Sequence, residues 1–185
     1  MAPFKRGNVE EYQRLDWQIL QKGAVCLYIN SDILEESCKW FRQNAYLVYL
    51  FDASRWRFRE DFFEEIAQAL HIEHCSGLDA LNDCLADIEI PYESGGVLVF
   101  QHFDQFARKE RSFAQGVLDS IATNSRLFSL YGYRFLALVQ VEDSQVTFES
   151  PGAQPVMLNP IEWRSRFKTQ LAQARERLTQ NTKKE

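Results

Sequence analysis

The chain has 185 residues, of which 45% are hydrophobic, 14% aromatic and 25% charged, a composition typical of a globular protein. No stretch reaches the roughly 18 uncharged apolar residues of a membrane span, and the first residues lack the apolar core of a secretory signal. The net charge of −5 argues against a dedicated nucleic-acid-binding protein. Four sparse cysteines predict free thiols in a cytoplasmic protein rather than a disulfide framework.

Residues 1–44 are predicted to form an N-terminal extension. Residues 17–22 and 24–29 flank Gly23 and read as the two short strands of a hairpin. Residues 32–43 then predict a helix, with Ser31 or Asp32 as its N-cap.

Residues 45–142 are predicted to form the core of an α/β fold. The run at 45–51 is apolar without alternation, which is typical of a central strand covered on both faces. Strands and helices alternate along this region, and that order favours a mainly parallel sheet packed by helices. The predicted strands are 45–51, 96–101 and 134–141, and the predicted helices are 59–70, 78–88 and 113–127.

Residues 143–185 are predicted to add a hairpin and a helix to the same core. Two short strand candidates flank Pro151 and Gly152, and Asn159-Pro160 opens a helix with proline at its first position. Several cations along this helix make either a solvated face or a surface that docks on an acidic segment of a second copy. The second interpretation predicts a homodimer.

Charge is distributed unevenly along the chain. Between Glu60 and Ala107 there are eleven acidic residues and no lysine or arginine, whereas the rest of the chain holds all 21 basic residues and 15 acidic ones. Such an asymmetry indicates either a solvated face that aids solubility or a surface for a basic partner.

The predicted helix at 78–88 carries the clearest functional pattern. Asp79, Asp83 and Asp87 follow at i, i+4 and i+8, so neighbouring carboxylates lie roughly 6 Å apart along one face. Like charges at this spacing cost a helix about 0.2–0.5 kcal/mol per pair, and residues that break local rules often have a function. Because carboxylates accept the same forked hydrogen bonds from arginine that phosphates do, this row suits the cationic groove of a nuclease. The opposite stripe, which is predicted to be buried, consists of Leu78, Leu81, Leu85 and Ile88.

The segment Leu-Asp-Ala-Leu-Asn-Asp-Cys-Leu at 78–85 resembles the second-helix motif of the barstar family, intracellular inhibitors of barnase-type ribonucleases. The order of elements from about Tyr46 to Val141 is similar to that family too, as is the segment at 97–106. The resemblance implies a three-stranded parallel sheet packed by helices. It also implies a protein that inhibits rather than catalyses.

The resemblance implies a set of partner-binding residues. In the family, the two motif aspartates enter the active site of the nuclease, and they match Asp79 and Asp83 here, with Asp87 and Glu73 expected to assist. The family's aromatic residues at this surface are replaced by Asn82, Glu73 and His74. No cofactor, metal, direct nucleic-acid contact or membrane contact is implied. The alternative is a regulatory or scaffolding module that holds another basic partner with the same face. The implied partner-binding set is Asp79, Asp83, Asp87, Glu73, Asn82 and His74.

Other chemistry remains open from the residues alone. His71, His74, Cys75 and Asp79 sketch a zinc site without a recognised fourth-ligand spacing. Cys75 beside His74 could form a nucleophile and base, although sequence neighbours rarely face one another.

Overall fold

The computed structural model describes residues 4–72, 75–143 and 145–181. These residues form an α/β fold with a parallel sheet packed by helices, as predicted, but the sheet has five strands rather than three. The strands are β1 (Val25–Tyr28), β2 (Leu47–Asp52), β3 (Gly96–Gln101), β4 (Phe135–Gln140) and β5 (Met157–Leu158). The helices are α1 (Val9–Gln13), α2 (Leu15–Leu20), α3 (Ser31–Gln43), α4 (Arg59–Leu70), α5 (Leu78–Ala86), α6 (Phe103–Lys109), α7 (Arg111–Leu130) and α8 (Pro160–Asn181).

The sheet order is β2-β3-β4-β1-β5, and every recorded pairing is parallel. β3 and β4 are central and almost wholly buried, which fits their uninterrupted apolar sequences. Gly95 precedes β3 with φ of 142°, and a Cβ there would lie 2.1 Å from the carbonyl oxygen of Arg134. Glycine is therefore required where the chain enters the centre of the sheet.

Helices cover both faces of the sheet. On one face, α2 and α3 bury Ile19, Leu34 and Phe41 against side chains of β1, β3 and β4. On the other face, α4 to α7 form a larger cluster around Phe62, Leu81 and further apolar side chains. Within the described residues no helix combines the length and apolar character needed to cross a membrane.

The predicted N-terminal hairpin is wrong. Residues 15–20 form α2, and β1 pairs in parallel with β4 and β5 instead of with a preceding strand. Asp16 is fully buried, where it accepts hydrogen bonds from Arg14 and from the hydroxyl of Tyr46. These tertiary contacts override the strand-like alternation of Trp17 and Ile19. α3 begins after Asn30, whose side chain caps it in place of Ser31 or Asp32.

The predicted C-terminal hairpin is wrong as well. Of the two segments, only Met157–Leu158 forms a strand, and it is parallel to β1. The backbone at 147–149 instead bonds to side chains of α7: Arg111 donates to the carbonyl of Thr147, and the side chain of Gln115 accepts from the amide of Glu149. The predicted helix after Asn159-Pro160 is α8, capped by the Asn159 side chain.

The strand predicted at 45–51 forms as β2, but its predicted central position in the sheet is wrong. β2 lies at the edge, and Leu47 and Leu50 are 40% and 50% exposed. An apolar run predicts a strand but does not tell whether neighbours cover both of its sides.

Candidate functional site

α5 is held against α7 by its apolar stripe. Leu81 and Leu85 are 1% exposed, and Leu78 packs on the same cluster. The buried amide of Asn124 on α7 donates to both the backbone carbonyl and the side-chain oxygen of Asn82, at 3.1 and 3.0 Å. The inner face of α5 is therefore fixed to the body of the protein by packing and by a polar bridge.

The outer face of α5 carries the three aspartates predicted from the sequence. Asp79, Asp83 and Asp87 are all exposed, and we call them the acidic row. The helix ends at Ala86, but Asp87 keeps near-helical angles and its amide bonds to the carbonyl of Asp83, so the row continues by one further turn. No salt bridge among the described residues joins any of the three to a cation of this chain.

One cleft lies beside the first aspartate. This Asp79 cleft has a volume of about 680 Å³ and is lined by residues of α4, the loop before α5 and α7. Arg59 lies in it, but its guanidinium bonds to Glu110 at 2.8 Å and sits 5.2 Å from the ring centre of Phe113. The arginine that lines this cleft is thus engaged with a carboxylate outside the acidic row.

A second cleft lies beside the other two aspartates. This Asp83 cleft has a volume of about 570 Å³, with Tyr49 from β2 and His71 from the end of α4 among its lining residues. Three carboxylates face it, those of Asp83, Asp87 and Glu89. Burial raises the pKa of the Tyr49 hydroxyl, so Tyr49 stays neutral and the cleft carries net negative charge.

The remaining predicted site residues have different surroundings. Asn82 is half-buried, and its side-chain oxygen is already bonded to Asn124. Glu73 and His74 lie outside the described residues.

Sequence reasoning missed the residues that complete the two clefts. Tyr49 on β2 and Arg59 at the start of α4 are separated from α5 in the chain, and only the fold brings them beside the acidic row. His71, considered above only as a zinc ligand, directly follows α4 and lines the Asp83 cleft. The one available signal was that Tyr49 alternates with the buried Phe51, which places both on the face of the sheet that α5 occupies.

The thiols near the acidic row do not resemble an activated nucleophile. Burial, and then a hydrogen bond with Cys84, raises the pKa of Cys75 to about 12, so the thiolate required for attack is scarce at neutral pH. All four cysteines are free thiols. Within the described part of the chain no group of three or more His, Cys, Asp or Glu side chains converges as metal ligands would.

The comparison with protein families covers this site. The sequence model of the family described as Barstar (barnase inhibitor) matches residues 46–140, slightly more than half of the chain. The match runs from the residue before β2 to the end of β4 and includes α5 with its acidic row. No curated protein matches the sequence.

Proposed function

Because this chain belongs to the barstar family, we propose that it inhibits a ribonuclease or nuclease toxin by placing the acidic row in the cationic active site of that enzyme. Asp79 and Asp83 are the central contacts and Asp87 extends them. Glu73, His74 and Asn82 border the contact. The protein acts in the cytoplasm as an immunity protein, needs no cofactor and catalyses nothing itself.

One observation carries this proposal. The three carboxylates of the acidic row are exposed, and none of the salt bridges among the described residues involves them. An active site that binds RNA phosphates presents arginine, lysine and histidine side chains at phosphate spacing. Carboxylates on a fixed helix can accept the same charge-assisted hydrogen bonds, and the repulsion within the row is relieved when those cations close over it. Opposite potentials also accelerate the encounter, and this effect weakens with added salt.

The test is inhibition of a barnase-type ribonuclease by the full chain. We expect Asp79→Asn and Asp83→Asn each to weaken inhibition by about 10- to 100-fold, the cost of one hydrogen bond to a charged group. The matched control is Glu36→Gln, which removes an exposed acid on α3, on the opposite face of the sheet. Equal inhibition by all four proteins would remove the acidic row from the mechanism.

A second candidate function is a regulatory or scaffolding module that holds another basic protein with the same face. It is favoured by Asn82, because this residue replaces an aromatic anchor of the family and is bonded to the protein's own α7. Aromatic anchors supply much of the affinity in protein interfaces. The two functions differ in outcome, because an inhibitor abolishes the activity of its partner and a scaffold leaves that activity intact.

Self-association is a separate proposal. Trp163 and Phe167 are exposed on α8 with their rings stacked at 5.4 Å, and Arg164 and Arg166 lie beside them. A basic helix with exposed aromatic rings complements the acidic row of a second copy, which is the homodimer predicted from the sequence. Sedimentation at low and high salt tests it, since such a dimer should dissociate as salt screens the charges.

A further inference from the structure

The outer edge of β2 presents backbone groups for pairing. β2 ends the sheet, and in the described residues its recorded partner is β3 alone. The amide of Leu47 bonds to the carbonyl of Gly95, so the residues at odd positions of this strand face β3. By the alternation of a parallel ladder, the amides and carbonyls of Val48, Leu50 and Asp52 face away from the sheet.

The sequence and register of β2 lack features that usually prevent pairing at a sheet edge. Proteins blunt exposed edges with lysine, proline, bulges or a covering element, whereas Leu47–Asp52 contains no lysine or proline and pairs with β3 in unbroken register. Leu47 and Leu50 are 40% and 50% exposed. The strand is therefore long enough, regular enough and apolar enough to accept another one.

The charge beside this edge identifies the occupant. The Asp83 cleft opens next to β2, because Tyr49 of that strand lines it together with Asp83, Asp87 and Glu89. A strand added to β2 lies in the plane of the sheet about 4.8 Å away, and every second side chain points to the face that carries α5. Pairing with β2 of a second copy would bring two such acidic clefts together, which like charges oppose.

We propose that the edge of β2 binds an extended segment of a basic partner by strand addition, with lysine or arginine at alternate positions of the segment entering the Asp83 cleft. Main-chain hydrogen bonds to Val48 and Leu50 supply affinity, and the carboxylates of Asp83, Asp87 and Glu89 select basic side chains. The inference rests on the proposed function only in taking the partner to be basic. It adds the edge of β2 as a second contact surface, which adjoins the acidic row and shares Asp83 and Asp87 with it.

The test uses the full chain and a labelled peptide, Lys-Thr-Lys-Val-Lys-Thr, with blocked ends. We expect measurable binding that weakens at least about tenfold when the peptide amides facing β2 are N-methylated, and that is lost when glutamate replaces lysine. In the protein, Leu50→Pro removes an amide that points outward and leaves the β2–β3 bonds in place, so it should weaken binding. Leu50→Ala, the matched control, keeps that amide and should bind nearly as well as the unmodified chain.

Amide hydrogen exchange measures the same contact without a variant. Peptide binding should slow exchange at Val48 and Leu50 while leaving Tyr49, which already bonds to β3, unchanged. The inference would be overturned if the N-methylated peptide bound equally well, or if exchange at Val48 and Leu50 did not change on binding. If the chain instead formed a dimer that Leu50→Pro disrupted, the occupant of the edge would be a second copy and not a basic partner. If nuclease inhibition depended on Asp79 but not on Leu50, the proposed function would hold and strand addition at β2 would play no part in it.

Discussion

Tyr46 and Asp16 form a buried hydrogen-bonded pair that joins the N-terminal extension to the sheet. Asp16 is fully buried, and Arg14 and the hydroxyl of Tyr46 both donate to its carboxylate. Arg134 approaches the same carboxylate at 3.7 Å. One carboxyl group thus connects α2, the residue before β2 and the residue before β4, which are distant in sequence.

The pair makes stability sensitive to alkaline pH. Burial, with a further contribution from Asp16, raises the pKa of Tyr46 well above its ordinary value of about 10. The folded state therefore keeps the proton while the unfolded state loses it. This contribution to stability is complete below pH 10 and declines by about 1.4 kcal/mol per pH unit above it.

We predict two effects of Tyr46→Phe, both read from urea unfolding between pH 7 and pH 11. At pH 7 the free energy of unfolding should fall by about 1–3 kcal/mol, because a buried carboxylate loses a donor. Above pH 10 the variant should lose stability less steeply than the unmodified chain. Tyr131→Phe, at a site 66% exposed, is the control and should do neither. Parallel pH profiles for Tyr46→Phe and the unmodified chain would contradict the assignment.

At the candidate site, features set within one helix could be predicted from the sequence, whereas contacts between elements could not. The spacing of Asp79, Asp83 and Asp87 is a property of one helix, so their common exposed face could be predicted before the fold was known. Asn82 lies on the same helix, but its bond to Asn124 depends on how α5 meets α7. No local pattern contains that contact, and the same holds for Tyr49 in the Asp83 cleft.

At the scale of elements, α5 combines a stabilising inner face with a destabilising outer one. Asp83 has a like-charged neighbour one turn away on each side, whereas Asp79 has one such neighbour and also benefits from the helix N-terminus. The two residues serve the same proposed function, yet their effects on the stability of the free protein should differ.

We predict that Asp83→Asn raises the free energy of unfolding by about 0.4–1 kcal/mol at low salt, because it removes two repulsive pairs. Asp79→Asn should give no gain, since relief of one repulsion is offset by loss of a favourable charge at the N-terminus. Thermal unfolding at about 0.01 M and 1 M salt distinguishes them, because the gain should vanish when the charges are screened. If Asp83→Asn were destabilising at low salt, the carboxylate would have a favourable contact within the protein and the row would not be under strain.

Strands that are buried on both faces could be predicted from the sequence, with their position in the sheet. An edge strand and a short helix could not be predicted as fully. β3 and β4 are apolar throughout and lie near the predicted bounds, because both sides of each strand are covered. β2 has a similar sequence but lies at the edge, since strand order is set by how the connecting helices pack. α6 was missed although Phe103, Phe106 and Ala107 have helical spacing and are buried; the helix is short and follows β3 directly.

At the scale of the whole molecule, the segments outside the family match complete the sheet. β1 lies between β4 and β5 and pairs along its full length with β4, from Val25 opposite Ala137 to Tyr28 opposite Gln140. α8 is tied to the same strand, because the buried carboxylate of Glu162 accepts hydrogen bonds from the amides of Ile29 and Asn30. Residues 1–44 also cover one face of β3 and β4. Side chains of α2 and α3 pack there on apolar side chains of the two strands: Ile19, Leu34, Cys38 and Phe41 on Val97, Val99, Leu136 and Leu138.

We predict that a fragment of residues 45–142, the core predicted from sequence, does not fold cooperatively by itself. Removing residues 1–44 leaves β4 as a bare edge and exposes Val97, Val99, Leu136 and Leu138 on the two central strands. At about 1.5–3 kcal/mol for each buried apolar side chain, this loss is comparable with the whole stability of a small domain. Circular dichroism and NMR dispersion should report a partly ordered, non-cooperative state. The matched control lacks residues 171–185, a mainly polar stretch of the sequence outside the family match, and should unfold with an unchanged midpoint. A well-dispersed spectrum and a sharp transition for 45–142 would show instead that the matched region is self-sufficient, and the added strands would then serve the partner rather than the fold.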